Sequence, residues 1–185
     1  MTRRAFDFYE TPPWQTRALL RRVPVCGRVF ECCVGDGSLA RELYRTGRIG
    51  VVTNDIDFNR TADYHLDATQ PSVWDLVGAV DWVVTNPPFT VADRILPRAL
   101  AVARVGVVLL GRLSFLEPTQ ERDALWQAHP PTGQIVLPRW SYKANGKSDS
   151  VTTAWFLWKL RLAEPIQVVA RAEKVDRIAE APCAC

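Results

Sequence analysis

Arg28-Val29-Phe30-Glu31-Cys32-Cys33-Val34-Gly35-Asp36-Gly37 is the stretch from which the fold can be read. An apolar run ends in a Gly-x-Gly turn, the order expected where a buried strand hands over to a helix. Ser38 or Asp36 caps that helix, which should run from about Ser38 to Thr46 with Gly47 closing it. The next apolar run, Ile49 to Thr53, ends on Asn54-Asp55-Ile56-Asp57. Strand, helix and strand in this order are the repeating unit of a parallel α/β sheet.

The alternation continues in the remainder of the chain. A weaker strand is expected at Tyr64 to Leu66 and a strong buried one at Val80 to Thr85, followed by a helix from Val91 to Ala103. Val105 to Leu110 is the next buried strand, a helix follows from about Thr119 to Ala128, and Gln134 to Leu137 and Val151 to Leu160 supply two more strands. The fold class is therefore α/β, a mostly parallel sheet with helices on both faces. A chain of 185 residues, 48% of them hydrophobic, holds one core rather than two. Residues 1–162 are expected to form one domain and 163–185 an extension that adds an edge element or frays.

No window reaches the roughly 18 consecutive apolar residues a membrane span needs, and Met1 to Glu10 is polar rather than signal-like, so no membrane partner and a cytoplasmic location are expected. Cys32 and Cys33 are adjacent in an apolar run and read as small core residues, and Cys183 and Cys185 have no companion with ligand spacing; no metal is expected. The net charge of +3 is unevenly spread. Residues 1–50 carry 9 basic and 5 acidic groups and 138–185 carry 8 and 5, while 51–90 carry only Arg60 against six aspartates. An acidic middle suits a neutral or cationic small ligand, and basic flanks suit phosphates.

In a doubly wound sheet, the residues that terminate successive strands share one site. Here they are Glu31 to Gly37, Asp55, Asp67 and Asn86. Gly35 and Gly37 let backbone approach a ligand, and Asp55, about 20 residues on, is placed to accept ribose hydroxyls of an adenosine-type ligand. These features fit a nicotinamide cofactor or S-adenosylmethionine; the missing third glycine disfavours the former.

Asn86-Pro87-Pro88-Phe89 follows a buried strand directly. Alone it would read as a rigid turn. After a strand, and downstream of a glycine turn and an acidic strand end, it reads as a reacting centre. The Asn86 amide oxygen and Pro87 carbonyl can converge on an amino group with two hydrogens to donate, and Phe89 offers a face for a heteroaromatic ring. That suits methylation of an exocyclic amine without a strong general base.

These residues resemble class I S-adenosylmethionine-dependent amino-methyltransferases, in particular small phage-type adenine-N6 DNA methyltransferases with an (Asn/Asp/Ser)-Pro-Pro-(Tyr/Phe) motif. Glu31-Cys32-Cys33-Val34-Gly35-Asp36-Gly37 is similar to the family's Glu-Pro-Cys-Ala-Gly-x-Gly loop, with Cys32 in place of its proline. The resemblance implies a Rossmann-like, seven-stranded sheet whose last strand, Val151 to Leu160, is antiparallel. It implies S-adenosylmethionine as cofactor, Asp55 on its ribose, Ile56 packed on its adenine and Asp67 at the adenine amino group. Glu31, Cys33, Gly35, Gly37 and Asn86 would complete that site. Tyr9-Glu10-Thr11-Pro12-Pro13-Trp14 resembles the segment that lines the methionine end, which brings in Tyr9, Thr11 and Pro12.

Nucleic acid, DNA first and RNA second, is the expected partner. Arg139, Trp140, Tyr142, Lys143 and Lys147 mix cations with aromatics in one loop, and Arg112 follows a strand end; with Phe89 these are the candidate substrate contacts. Three other readings stay open: an amino group on an RNA base, the side chain of a protein glutamine, and a non-catalytic binding scaffold on the same fold.

Overall fold

A computed structural model describes residues 10–47, 49–120, 122–139, 151–160 and 164–171. Its centre is a run of parallel strands, β1 (Gly27–Glu31), β2 (Ile49–Thr53), β3 (Val80–Thr85) and β4 (Ala103–Arg112), joined through helices α2 (Ser38–Tyr44), α3 (Pro71–Val77) and α4 (Ala92–Val102). A helix α1 (Pro13–Leu20) precedes them; α5 (Asp123–Ala128), β5 (Gly133–Val136), β6 (Thr153–Trp158) and β7 (Ile166–Val168) follow. The sheet order is β2-β1-β3-β4-β6-β5-β7. β6 runs antiparallel to β4 and β5, and β7 is parallel to β5. Among the described residues no helix is long and apolar enough to cross a membrane.

The period-2 alternation of side chains on these strands divides the core into two layers. Val29, Trp82, Val84, Val108, Leu110, Trp155 and Leu157 face one side, where α1 and α2 cover them with Trp14, Ala18, Leu19, Leu39 and Leu43. Phe30, Val83, Val107, Leu109, Phe156 and Trp158 face the other, against Val73, Trp74, Ile95, Leu96 and Ala99 of α3 and α4. Both faces are covered, which is why the strands read as unbroken apolar runs. α1 is fastened at three points: its buried Ala18 and Leu19, a two-pronged ion pair from Arg17 to Glu42 on α2 (Nε–Oε2 2.7 Å, Nη2–Oε1 3.2 Å), and the Trp155 indole donating to the Gln15 carbonyl at 2.9 Å.

The expected strand at Tyr64 to Leu66 is reduced to one bridge, Asn54 with Tyr64. The reason lies in Asp63, whose carboxylate takes the Thr53 N–H and the Thr53 hydroxyl, both at 2.8 Å. A side chain thus occupies part of the edge that a ladder would need. The seventh strand is instead β7, in the stretch read as an edge element or a frayed end. α1 and α3 were not expected as helices. Each begins with proline in its first turn, Pro13 and Pro71, where the missing N–H costs nothing and the fixed φ suits the helix.

Gly106 of β4 is paired in register with Trp82 of β3, and a Cβ there would overlap the six-membered ring of the indole. Gly50, on β2, has nothing within 4 Å of a Cβ position. Gly106→Ala should therefore cost about 1–3 kcal/mol through overpacking. Gly50→Ala should stay within roughly 0.5 kcal/mol. Urea denaturation midpoints of the two variants, compared with the parent, check this.

Candidate functional site

The chain leaves β1 toward β2 on one side of the sheet and returns to build β3 and β4 on the other. Crevices at the carboxyl ends of strands at such a reversal are where α/β sheets take ligands. Here the ends of β1, β2 and β3 open a cavity of about 430 Å³. Its floor is the Glu31–Asp36 loop, one wall is Asp55 to Asp57 with Leu66 to Thr69, and Asn86-Pro87-Pro88 forms the opposite wall beside Thr11.

The loop turns through Gly35 (φ 58°) and Gly37 (φ 76°), left-handed positions that other residues rarely adopt. Gly35 N–H donates to Asp55 Oδ2 at 2.7 Å, and Asp57 N–H donates to Asp55 Oδ1 at 2.9 Å. Asp55 therefore clamps the glycine turn to the end of β2 as well as facing the cavity. Asp36 caps α2 from one residue before Gly37, taking the Ser38 N–H at 3.0 Å and the Ser38 hydroxyl at 2.7 Å. Asp67 Oδ1 takes both the N–H and the hydroxyl of Thr69 at 2.8 Å.

Asn54 joins these parts, although nothing in the sequence reading singled it out. Its buried amide donates to the Cys32 and Leu66 carbonyls, each at 2.9 Å, and its Oδ1 accepts the Leu66 N–H at 3.0 Å. Its backbone adds bonds to the Glu31 carbonyl and the Val34 N–H. An asparagine that closes a buried strand ahead of an Asx-rich turn was the available signal. Arg60 and Arg94 also line the cavity and were missed. Arg94 is an exposed cation in the first turn of α4, and Arg60 sits 3.4 Å from Asp57.

Electrostatically the floor is acidic. Glu31 is 1% exposed, and its Oε2 has no hydrogen-bond partner among the described residues. Burial, then the neighbouring Cys32, Asp36 and Asp55, push its carboxyl well above the ordinary glutamate range. Cys33 is likewise raised, first by its contact with the Cys32 thiol, 3.9 Å away, and then by burial, which favours the neutral thiol over the thiolate.

Of the residues proposed from sequence for a cofactor, Thr11, Glu31, Cys33, Gly35, Asp55, Ile56, Asp67 and Asn86 line the one cavity. Gly37 lies behind the loop and Pro12 caps α1; neither lines it. Pro87 and Pro88 line it, whereas Phe89 sits outside, half-buried, with the Arg112 guanidinium 5.0 Å from its ring centre. Arg139 is exposed beyond β5 and is not part of the cavity lining. Tyr9, Trp140, Tyr142, Lys143 and Lys147, like Cys183 and Cys185, lie outside the described residues.

No family model matches the chain, and no curated protein matches it in sequence. Solved structures do match in shape. A protein described as an RNA methyltransferase from Pyrococcus horikoshii superposes with a TM-score of 0.59 at 15% identity, over 85% of this chain and 88% of that one. A class I S-adenosylmethionine-dependent methyltransferase from Listeria monocytogenes gives 0.56 at 11%, over 89% and 64%. A dimethyladenosine transferase from Plasmodium falciparum gives 0.53 at 14%, over 81% and 62%. At these identities the likeness is one of fold: the chain has the Rossmann-like fold of the class I methyltransferases.

Proposed function

We propose that this chain binds S-adenosylmethionine in the cavity and methylates a planar exocyclic amine, adenine N6 in DNA. The observation that carries the reading is the arrangement of Asn86-Pro87-Pro88 on the wall opposite the Asp55–Asp57 and Asp67 side, above the Glu31–Gly35 floor. A cavity of about 430 Å³ is of ligand size. Its chemistry fits a cationic adenosine ligand: Glu31 Oε2 is a buried acceptor in want of a partner, and Ile56, 46% exposed at the rim, is apolar surface an adenine ring would cover.

Glu31 and the Gly35 turn would hold the amino-acid end of that ligand, Asp55 its ribose, and Ile56 and Asp67 its base. When bound, S-adenosylmethionine supplies a methyl group on a good leaving group. The protein's own part is to orient the acceptor. Asn86 Oδ1 and the Pro87 carbonyl accept the two amine hydrogens, which favours the pyramidal nitrogen of the transition state over the flat, delocalised amine. Pro87 and Pro88 have no N–H to compete and stiffen the chain that presents those acceptors. The hydrogen lost from nitrogen leaves as a proton to water, since the methylated amine is acidic. Arg112 covers the Phe89 ring, so a base stacking on Phe89 takes its other face or displaces the guanidinium.

The Pyrococcus protein's description as an RNA methyltransferase favours an amino group on RNA as the second reading. A glutamine side chain presents the same two hydrogens, and a binding scaffold would need no Asn86 at all. Incubation with labelled S-adenosylmethionine and unmethylated DNA, structured RNA or cell protein, followed by digestion, separates these. Label is expected on N6-methyladenine from DNA; label confined to RNA or glutamine would sink the DNA assignment, and binding without transfer would favour the scaffold. Asn86→Ala should lower kcat on the order of 10²-fold with cofactor affinity nearly unchanged.

Glu31 adds a pH signature. Its carboxyl stays protonated above the ordinary glutamate range in the free protein, and an arriving cation favours the ionised form. Affinity for S-adenosylmethionine should therefore rise with pH until Glu31 is already ionised in the free protein, with a proton released on binding below that point. Calorimetry in buffers of different ionisation heat should detect that proton, and Glu31→Gln should remove it. A proton balance identical in the parent and Glu31→Gln would mean that Glu31 does not face the cation.

A further inference from the structure

Thr11 reaches the reacting centre from far away in the chain. Its Oγ1 accepts a hydrogen bond from Asn86 Nδ2 at 3.0 Å, across 75 residues, and the side chain is 4% exposed. Resting on the reading of Asn86 as the amine acceptor, we propose that Thr11 is a positioning residue that sets the rotation of the Asn86 carboxamide so that Oδ1 meets the incoming amine. This assigns Thr11 to the methyl acceptor, where the resemblance implies a place beside the cofactor.

Donors and acceptors decide which way the carboxamide turns. A carboxamide is planar, with an acceptor on one edge and donors on the other. An amine with two hydrogens to give is drawn to Oδ1 and repelled by Nδ2. A threonine hydroxyl has one hydrogen and two lone pairs, so it can bond to either edge. With the amine on Oδ1, both partners are satisfied only when Thr11 accepts from Nδ2, which is the observed bond. Without the hydroxyl, Nδ2 loses this bond, and with it the preference that Thr11 gives over the flipped carboxamide, which turns a donor toward the amine.

The hydroxyl is held firmly enough to do this. Pro12 and Pro13 follow Thr11 at once, and Gln15 N–H bonds back to the Pro12 carbonyl at 2.9 Å. α1 is in turn pinned to α2 by Arg17 and Glu42, and to β6 by Trp155. The opposite end of the contact is rigid as well, because Asn86 emerges from β3 and runs into two prolines.

The test compares Thr11→Val and Thr11→Ser in the full chain, with thermal melting to confirm that both fold. Thr11→Val should lower kcat about tenfold, the scale of one neutral hydrogen bond, with KM for the acceptor and the dissociation constant for S-adenosylmethionine within roughly twofold. Thr11→Ser should recover most of the rate. In parallel, the side-chain amide signals of Asn86 in nitrogen-15 NMR should shift in Thr11→Val and hold their position in Thr11→Ser. An unchanged kcat, or cofactor affinity falling in step with the rate while the Asn86 signals stay put, overturns the proposal. The amide signals report on Thr11 whether or not any acceptor is modified. An inactive parent protein would therefore count against amine transfer, while a shifted Asn86 signal would still support the hold of Thr11 upon it.

Discussion

The Asn54 side chain is the joint on which the cavity depends. Three loops leave the strand ends beside one another, and each carries buried carbonyl or N–H groups that no ladder reaches. One amide satisfies the Cys32 carbonyl, the Leu66 carbonyl and the Leu66 N–H, while its own backbone ties β1 to the glycine turn. Each such group left buried without a partner costs about 1–3 kcal/mol. Asn54 thereby sets the separation between the floor of the cavity and the Asp67 wall, and aspartate could not replace it, since only an amide both donates and accepts there.

From that joint the acidic character of the middle of the chain acquires two duties. Asp36, Asp55 and Asp67 each accept the N–H two residues on and so form turns, while Asp55 also takes the Gly35 N–H and Asp63 the Thr53 N–H across the fold. Because Asp36, Asp55 and Asp67 line one cavity, their charges also converge on it. Glu31 differs: it lies at the end of a buried strand, its Oε2 meets no donor among the described residues, and burial, then the neighbouring Cys32, Asp36 and Asp55, discourage its ionisation. Structural carboxylates around one buried carboxyl give this cavity an electrostatic character that suits a cationic ligand.

How much of this was legible in the sequence follows from the reach of each interaction. Val80 to Thr85 and the Gly35-Asp36-Gly37 turn were readable because buried strands and left-handed turns demand particular residues locally. The convergence of Glu31, Asp55, Asp67 and Asn86 was readable too, because parallel α/β topology places strand ends together. Tyr64 to Leu66 misled because the apolar pattern gave no hint that the Asp63 carboxylate would take up the neighbouring edge. α1 and α3 each open on a proline, and the bond from Thr11 to Asn86 could not be read from spacing at all, since it joins residues 75 apart with β1, β2 and β3 between them.

The place of β6 has a consequence for how the molecule is made. β5 pairs only with β6 and β7, both of which come later in the chain, and β6 must slot between β4 and β5. As synthesis proceeds from the first residue, β1 to β4 can pair as they emerge, but β5 waits, and the hydrogen-bonding edge of β4 stands open until β6 arrives. The glycine loop and the asparagine motif can therefore reach their positions before the sheet is finished. Trp155, which donates from β6 to the Gln15 carbonyl of α1, then adds the last of that helix's three anchors, a few residues after Thr11, only in the closing step. Assembly of the Thr11 side of the cavity is in this way coupled to completion of the domain, and a nascent chain caught before that step has the Glu31–Asp36 floor without the last anchor of α1.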